Sequence, residues 1–295
     1  NLTNVGEMGR EANANGVKVL LDFHYSDFWA DPAKQTLPKA WKNLSNTALQ
    51  QAYYNYTAQA VTTMAKNGIV LDSVQIGNEI TDGMPGAFKP HDPSTWTDPK
   101  LGPKLTGFLN NASKAVRSTS PTTKIIVHIE TPNVAKYRTI MQTLKNAKVS
   151  YDILGTSYYT YWGNTPQVLT DVIHMAQKEF GKKVCAMENG WTYSDQTFNG
   201  KGDSVGHLDS PQFPQTVQGQ IDELNQSYTT MIKAGGLGIY YWEPAWLPVK
   251  AGWGNNTWEY NQYASNVFGT GWASKYVIGY EPDAEMYYTD PTTHK

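Results

Sequence analysis

The chain has 295 residues, enough for one large α/β domain, and its 24 Lys+Arg nearly balance 26 Asp+Glu. That balance, with no basic run, argues against nucleic acid as a partner. The lack of any run of about 18 apolar residues argues against a helix spanning a membrane.

Along the chain the pattern is helix, then strand and helix in alternation. A leading helical segment stops at Gly16, and Val17-Lys18-Val19-Leu20-Leu21-Asp22-Phe23-His24 reads as a buried strand. A long helix is predicted over 47–66, closed by the C-cap signal Asn67-Gly68. Then come a strand over 73–78, a helix over 105–117, a strand over 124–129, a helix over 134–144 and a strand over 153–158. A helix over 166–180, a strand over 183–187, a helix over 216–233 and a strand over 237–242 complete the series. This alternation predicts parallel βαβ units. Six strands fall short of the eight that close a (β/α)8 TIM barrel. An open sheet would leave its edges bare, so the expected fold is such a barrel lacking its first two strands and its last helix. Residues 1–295 then form a single catalytic domain, incomplete at both ends.

The strand ends carry the chemistry. In order they deliver His24, Asn78-Glu79, His128, Tyr158-Tyr159, Glu188 and Trp242-Glu243. Any one of these has an ordinary explanation as packing or a solvated loop residue. Their recurrence at the same end of successive strands is how barrel active sites are built. Two carboxylates there, Glu79 and Glu188, are the minimum equipment for acid-catalysed glycosidic cleavage. Glu130 and Glu243 are rivals less well placed. Ten Trp and nineteen Tyr include many in polar, loop-like surroundings, where a flat ring can cover the apolar face of a sugar. Trp29, Trp162, Trp191, Trp242 and Trp246 are the candidates. Cys185, the lone cysteine, reads as a small buried hydrophobe.

The segment Leu20-Leu21-Asp22-Phe23-His24-Tyr25-Ser26-Asp27-Phe28-Trp29-Ala30-Asp31-Pro32 resembles the third-strand signature of the glycoside hydrolase family 53 endo-β-1,4-galactanases. Gln75-Ile76-Gly77-Asn78-Glu79-Ile80 and Tyr241-Trp242-Glu243-Pro244-Ala245-Trp246-Leu247-Pro248 resemble further motifs of that family, at matching spacing. The resemblance runs from about Gly6 to Tyr280. It implies a retaining hydrolase working by double displacement, with Glu79 as general acid/base and Glu188 as nucleophile, roughly 5 Å apart. The expected substrate-binding set is His24, Asp27, Trp29, Asn78, His128, Tyr158, Tyr159, Trp191, Trp242 and Trp246, with His24 and His128 on substrate or on the carboxylates behind it. Asn78 is expected on the sugar 2-hydroxyl, and Tyr158 or Tyr159 on Glu188. Strand alternation says only that the two tyrosines point opposite ways.

No cofactor is implied for the chemistry. Bacterial relatives hold a structural calcium in the loop after the second glutamate, and Asp203, His207 and Asp209 are the candidate ligands here. The match is incomplete, because the first Asp of their Asp-x-Asp-x-His-x-Asn pattern is absent. The expected protein is a secreted monomer acting on the β-1,4-galactan side chains of pectin. Competing readings are a retaining enzyme for mannan or xylan and a non-catalytic carbohydrate-binding barrel. Both carboxylates would be superfluous in the latter.

Overall fold

A computed structural model describes residues 2–195, 205, 207–242, 244 and 267. Six helices are described: α1 Leu2–Ala14, α2 Asn46–Lys66, α3 Leu101–Thr119, α4 Val134–Asn146, α5 Pro166–Phe180 and α6 Val217–Lys233. The strands are β1 Val19–Phe23, β2 Leu71–Ile76, the short β3 Gly83–Met84 and β4 Ala87–Phe88, then β5 Lys124–Glu130, β6 Ile153–Ser157 and β7 Lys183–Glu188. The main sheet has the order β1-β2-β5-β6-β7, and β1/β2 and β2/β5 pair in parallel. The strand–helix alternation predicted from sequence is therefore present in this region. The expected strand at 237–242 is reduced to one parallel bridge, Ala186 to Ile239.

The chain divides into two compact units. The first comprises residues 1–156 and 172–185. Its core is the sheet and the helices against it: Ile125, Ile126, Val127 and Ile129 of β5 are buried, as are Leu105, Phe108, Leu109 and Ala112 of α3. Tyr53 of α2 stacks on Phe108 at 4.6 Å. Local rules account for the boundaries. Ser45 caps α2 by accepting from Ala48 N. Helix α3 begins four residues before the sequence prediction because Pro103 lies in its first turn, where a missing N–H is harmless. Asp98 accepts from Lys100 N and Leu101 N there.

The second unit comprises residues 157–171 and 186–295. Within it, Ala186 N donates to Gly238 O, Tyr240 N to Ala186 O and Trp242 N to Asn189 O. Thr216 caps α6 by accepting from Gly219 N at 3.1 Å. The buried residues of α6 are Gly219, Gln220, Glu223, Ser227 and Met231, a face that is largely polar.

Candidate active site

In the first unit, Glu79 lies three residues beyond the end of β2. Gly77 leaves the strand at φ 108°. A side chain there would bring a Cβ to 2.8 Å from Ile80 Cγ2, so glycine is required on both counts. Glu79 itself adopts a left-handed conformation, φ 47° and ψ 49°, before the 3-10 turn Ile80–Asp82. Such a conformation is costly for a residue with a Cβ and recurs at functional sites.

Around it runs a hydrogen-bonded network of five side chains. Gln75 Nε2 donates to Asp22 Oδ1 at 2.5 Å and to Asn78 Oδ1 at 3.0 Å. Asn78 Nδ2 donates to Ala30 O, and Asn78 O accepts from Gln35 Nε2. His128 Nδ1 is 3.0 Å from Asn78 Oδ1 and 3.4 Å from Glu79 N. Because Asn78 Oδ1 is already fixed as an acceptor, the shorter contact calls for a proton on Nδ1. Burial holds His128 down to about 3, so the ring is neutral. His24 Nδ1 accepts from Ala30 N, and its Nε2 faces Asp22 Oδ2 at 3.2 Å. Burial lowers its pKa, but the hydrogen bond and charge of Asp22, with Glu79 and Asp31 behind them, leave it raised.

In the second unit, Glu188 closes β7 and is buried. Tyr159 donates its hydroxyl to Glu188 Oε2 at 2.9 Å, while Tyr158 N donates to Glu188 O at 2.8 Å. The open choice between the two tyrosines is thereby settled for the hydrogen bond: it is Tyr159. The Tyr158 hydroxyl is buried with no hydrogen-bond partner among the described residues.

The other expected substrate-binding residues separate by exposure. Asp27 is exposed, and its Oδ2 accepts from Lys39 N. Trp29 is exposed and stacked on Phe28 at 5.5 Å. Trp162 is 68% exposed, the most open of these rings. Trp242 is half-buried. Trp191, His128 and Tyr158, by contrast, are each 0% exposed. Trp191 packs against Tyr161 and Phe213 and donates from Nε1 to Pro214 O. Asn78 also has both ends of its amide engaged by protein partners, rather than aimed only at ligand. Trp246 and Asp203 lie outside the described residues. His207 Nδ1 is 3.5 Å from Asp195 Oδ2, and its Nε2 is 4.0 Å from Asp209 Oδ1. The two carboxylates meet opposite nitrogens of the ring rather than surrounding one point.

Asp22, Gln75, Asn189 and Glu223 were not singled out from sequence. The signal available for Asp22 was a lone polar residue inside the otherwise apolar β1. For Glu223 it was a polar stripe, Gln220, Glu223 and Ser227, in register with Met231 at helical spacing.

Strand–helix repeats on a five-stranded parallel sheet, with polar side chains at the strands' carboxyl ends, are what a (β/α)8 barrel contains, and the family match and solved relatives that follow carry that fold. The sequence profile of Glycosyl hydrolase family 53 matches residues 1–278, and the chain belongs to that family. It is 40% identical over 288 residues to the endo-beta-1,4-galactanase of Bacillus subtilis (strain 168), covering 96% of this chain and 63% of that protein. The arabinogalactan endo-beta-1,4-galactanase of Cellvibrio japonicus (strain Ueda107) is 33% identical, over 88% of this chain and 70% of that one. The family 53 catalytic domain of Ignisphaera aggregans superposes with a TM-score of 0.77 at 32% identity, over 84% of this chain and 68% of that structure. The chain thus spans less than two thirds of the Bacillus relative's length.

Proposed function

We propose that this chain is the catalytic domain of a retaining endo-β-1,4-galactanase that cleaves the galactan side chains of pectin. The polymer is carried over from the Bacillus and Cellvibrio relatives, whose names specify that activity. One observation supports the chemistry above the rest: Glu188 ends its strand with its carboxylate taking the Tyr159 hydroxyl. A hydroxyl that donates to a carboxylate favours its charged form, which a nucleophile needs. Glu188 attacks the anomeric carbon while Glu79 protonates the departing oxygen. Glu79 then takes a proton from water as that water releases the sugar from Glu188. His24, Asp27, Trp29, Trp242 and Trp246 contact substrate. His128 holds Asn78, the residue before Glu79, through Asn78 Oδ1.

The proposal includes a secreted monomer in which residues 1–295 act as one domain, with no cofactor in the reaction. A calcium ion in the 199–209 loop, held by Asp203, His207 and Asp209, would be structural, since oxygen donors suit it. The described His207 and Asp209 do not form a cage by themselves, so chelation tests this part separately. Loss of a few degrees of Tm with EDTA would support calcium, and an unchanged Tm would remove it.

Reducing-sugar release from β-1,4-galactan tests the function. Release by the full chain that vanishes in Glu188→Gln is the expected result. Release from mannan or xylan but not galactan would reassign the substrate, and galactan binding without release would favour a binding protein.

A further inference from the structure

Glu223 is a buried acidic residue that the scheme above leaves unused. It lies on the inner face of α6 at 0% exposure, with no ion-pair partner among the described residues. Burial raises its pKa, and hydrogen bonds from Ser227, Asn189 and Thr160 only partly offset that effect. A carboxyl placed so expensively in a helix interior needs a reason beyond packing.

Its hydrogen bonds supply one. A single oxygen, Oε1, accepts from Ser227 Oγ at 2.7 Å, Thr160 Oγ1 at 3.1 Å and Asn189 Nδ2 at 3.1 Å. Asn189 directly follows Glu188, and Thr160 directly follows Tyr159. The same Asn189 amide also donates to Tyr158 O at 2.8 Å, and Asn189 O accepts from Trp242 N. Oε1 therefore ties together the residue after the carboxylate and the residue after the hydroxyl that holds it. The anchor is firm at the helix end too, because Ser227 is also fully buried and one turn along α6.

We propose that Glu223 is a positioning residue for the nucleophile, setting the Tyr159–Glu188 hydrogen bond by gripping Asn189 and Thr160 through Oε1. It touches neither substrate nor the reacting atoms. The inference rests on Glu188 being the nucleophile. Glu223→Gln keeps a carbonyl oxygen as acceptor, whereas Glu223→Leu removes it and releases both loops.

The test uses the full chain and two readouts: kcat and KM on β-1,4-galactan, and the rate at which an activated 2-deoxy-2-fluoro-β-galactoside labels Glu188. Glu223→Leu is expected to lose about 10–100-fold in kcat and in labelling rate, with KM within about twofold, since small misplacements of reacting groups cost that much. Glu223→Gln should stay within about threefold of wild type. Thr160→Val cuts only one arm, and it decides the matter if Glu223→Leu does not fold. A fall of threefold or more in its labelling rate at constant KM supports positioning, and a wild-type rate overturns it. Parallel loss of Tm, KM and kcat in Glu223→Leu, with Thr160→Val unaffected, also overturns it. If wild type is labelled at a residue other than Glu188, the nucleophile assignment fails instead, whatever the Glu223 variants do.

Discussion

Glu79 follows β2 and Glu188 ends β7, yet their surroundings hold them by different means. Glu79 is half-buried, on a backbone forced into the left-handed region, among two imidazoles and the carboxylate of Asp22. Glu188 is buried on regular strand backbone and takes the Tyr159 hydroxyl, and its neighbour Asn189 donates to the Glu223 carboxyl. In the proposed scheme the strained turn aims the group that exchanges protons. The Tyr159 hydrogen bond orients the group that stays charged. Loss of a hydrogen bond should therefore hurt the Glu188 side most in rate, while backbone changes should hurt the Glu79 side most in stability.

Substitutions can break this contrast. The largest expected effect is Tyr159→Phe. A hydrogen bond to a charged group is worth about 1.5–3 kcal/mol, so kcat should fall about 10–100-fold. An unchanged kcat would show that Glu188 needs no such donor. Gly77→Ala meets both the positive φ and the Ile80 side chain. It should cost about 1–3 kcal/mol in denaturant unfolding, and a neutral result would mean that the turn is not strained as described. Asp82 offers a pH-dependent check in the same turn. Burial, with the charge of Glu130 behind it, raises its pKa from 3.8 to about 6. The folded state thus keeps a proton that the unfolded chain releases between those values, so stability falls as pH rises from below 4 to above 6. Asp82→Asn should remove that fall and raise the unfolding midpoint at pH 7. A pH 4 to pH 7 difference in unfolding midpoint that survives the substitution would contradict it. Smallest is Tyr158→Phe, which deletes a buried hydroxyl that has no partner among the described residues. Activity should stay within about threefold and stability should change by less than about 1 kcal/mol. A loss matching that of Tyr159→Phe would erase the distinction between the two tyrosines.

The sequence carried the strand–helix order well, because buried parallel strands such as β5 are near-continuous apolar runs and the helices between them end at caps and glycines. Helix α5 was predicted with the same limits as observed, Pro166–Phe180. The short β3–β4 pair was not foreseen, since two-residue strands leave no periodicity to read. Nor was the reduction of the 237–242 strand to a single bridge. Site residues followed the same division. Candidates at strand ends, such as His24, Glu79 and Glu188, are legible by position. Residues that act by supporting others are not: Gln75 sits mid-strand, and Glu223 is on a helix 35 positions beyond the nucleophile it is proposed to hold. Burial could not be read from residue type either, which is why Trp191 looked like a sugar platform although its ring is enclosed.

Azide rescue with an aryl β-galactoside separates the roles proposed for the two glutamates. Azide should restore turnover to Glu188→Ala and yield the α-galactosyl azide, because the anion then attacks in place of the missing carboxylate. In Glu79→Ala it should yield the β-galactosyl azide, formed from the intact galactosyl–Glu188 intermediate. The reverse pairing of anomers, or one anomer from both variants, would contradict the account.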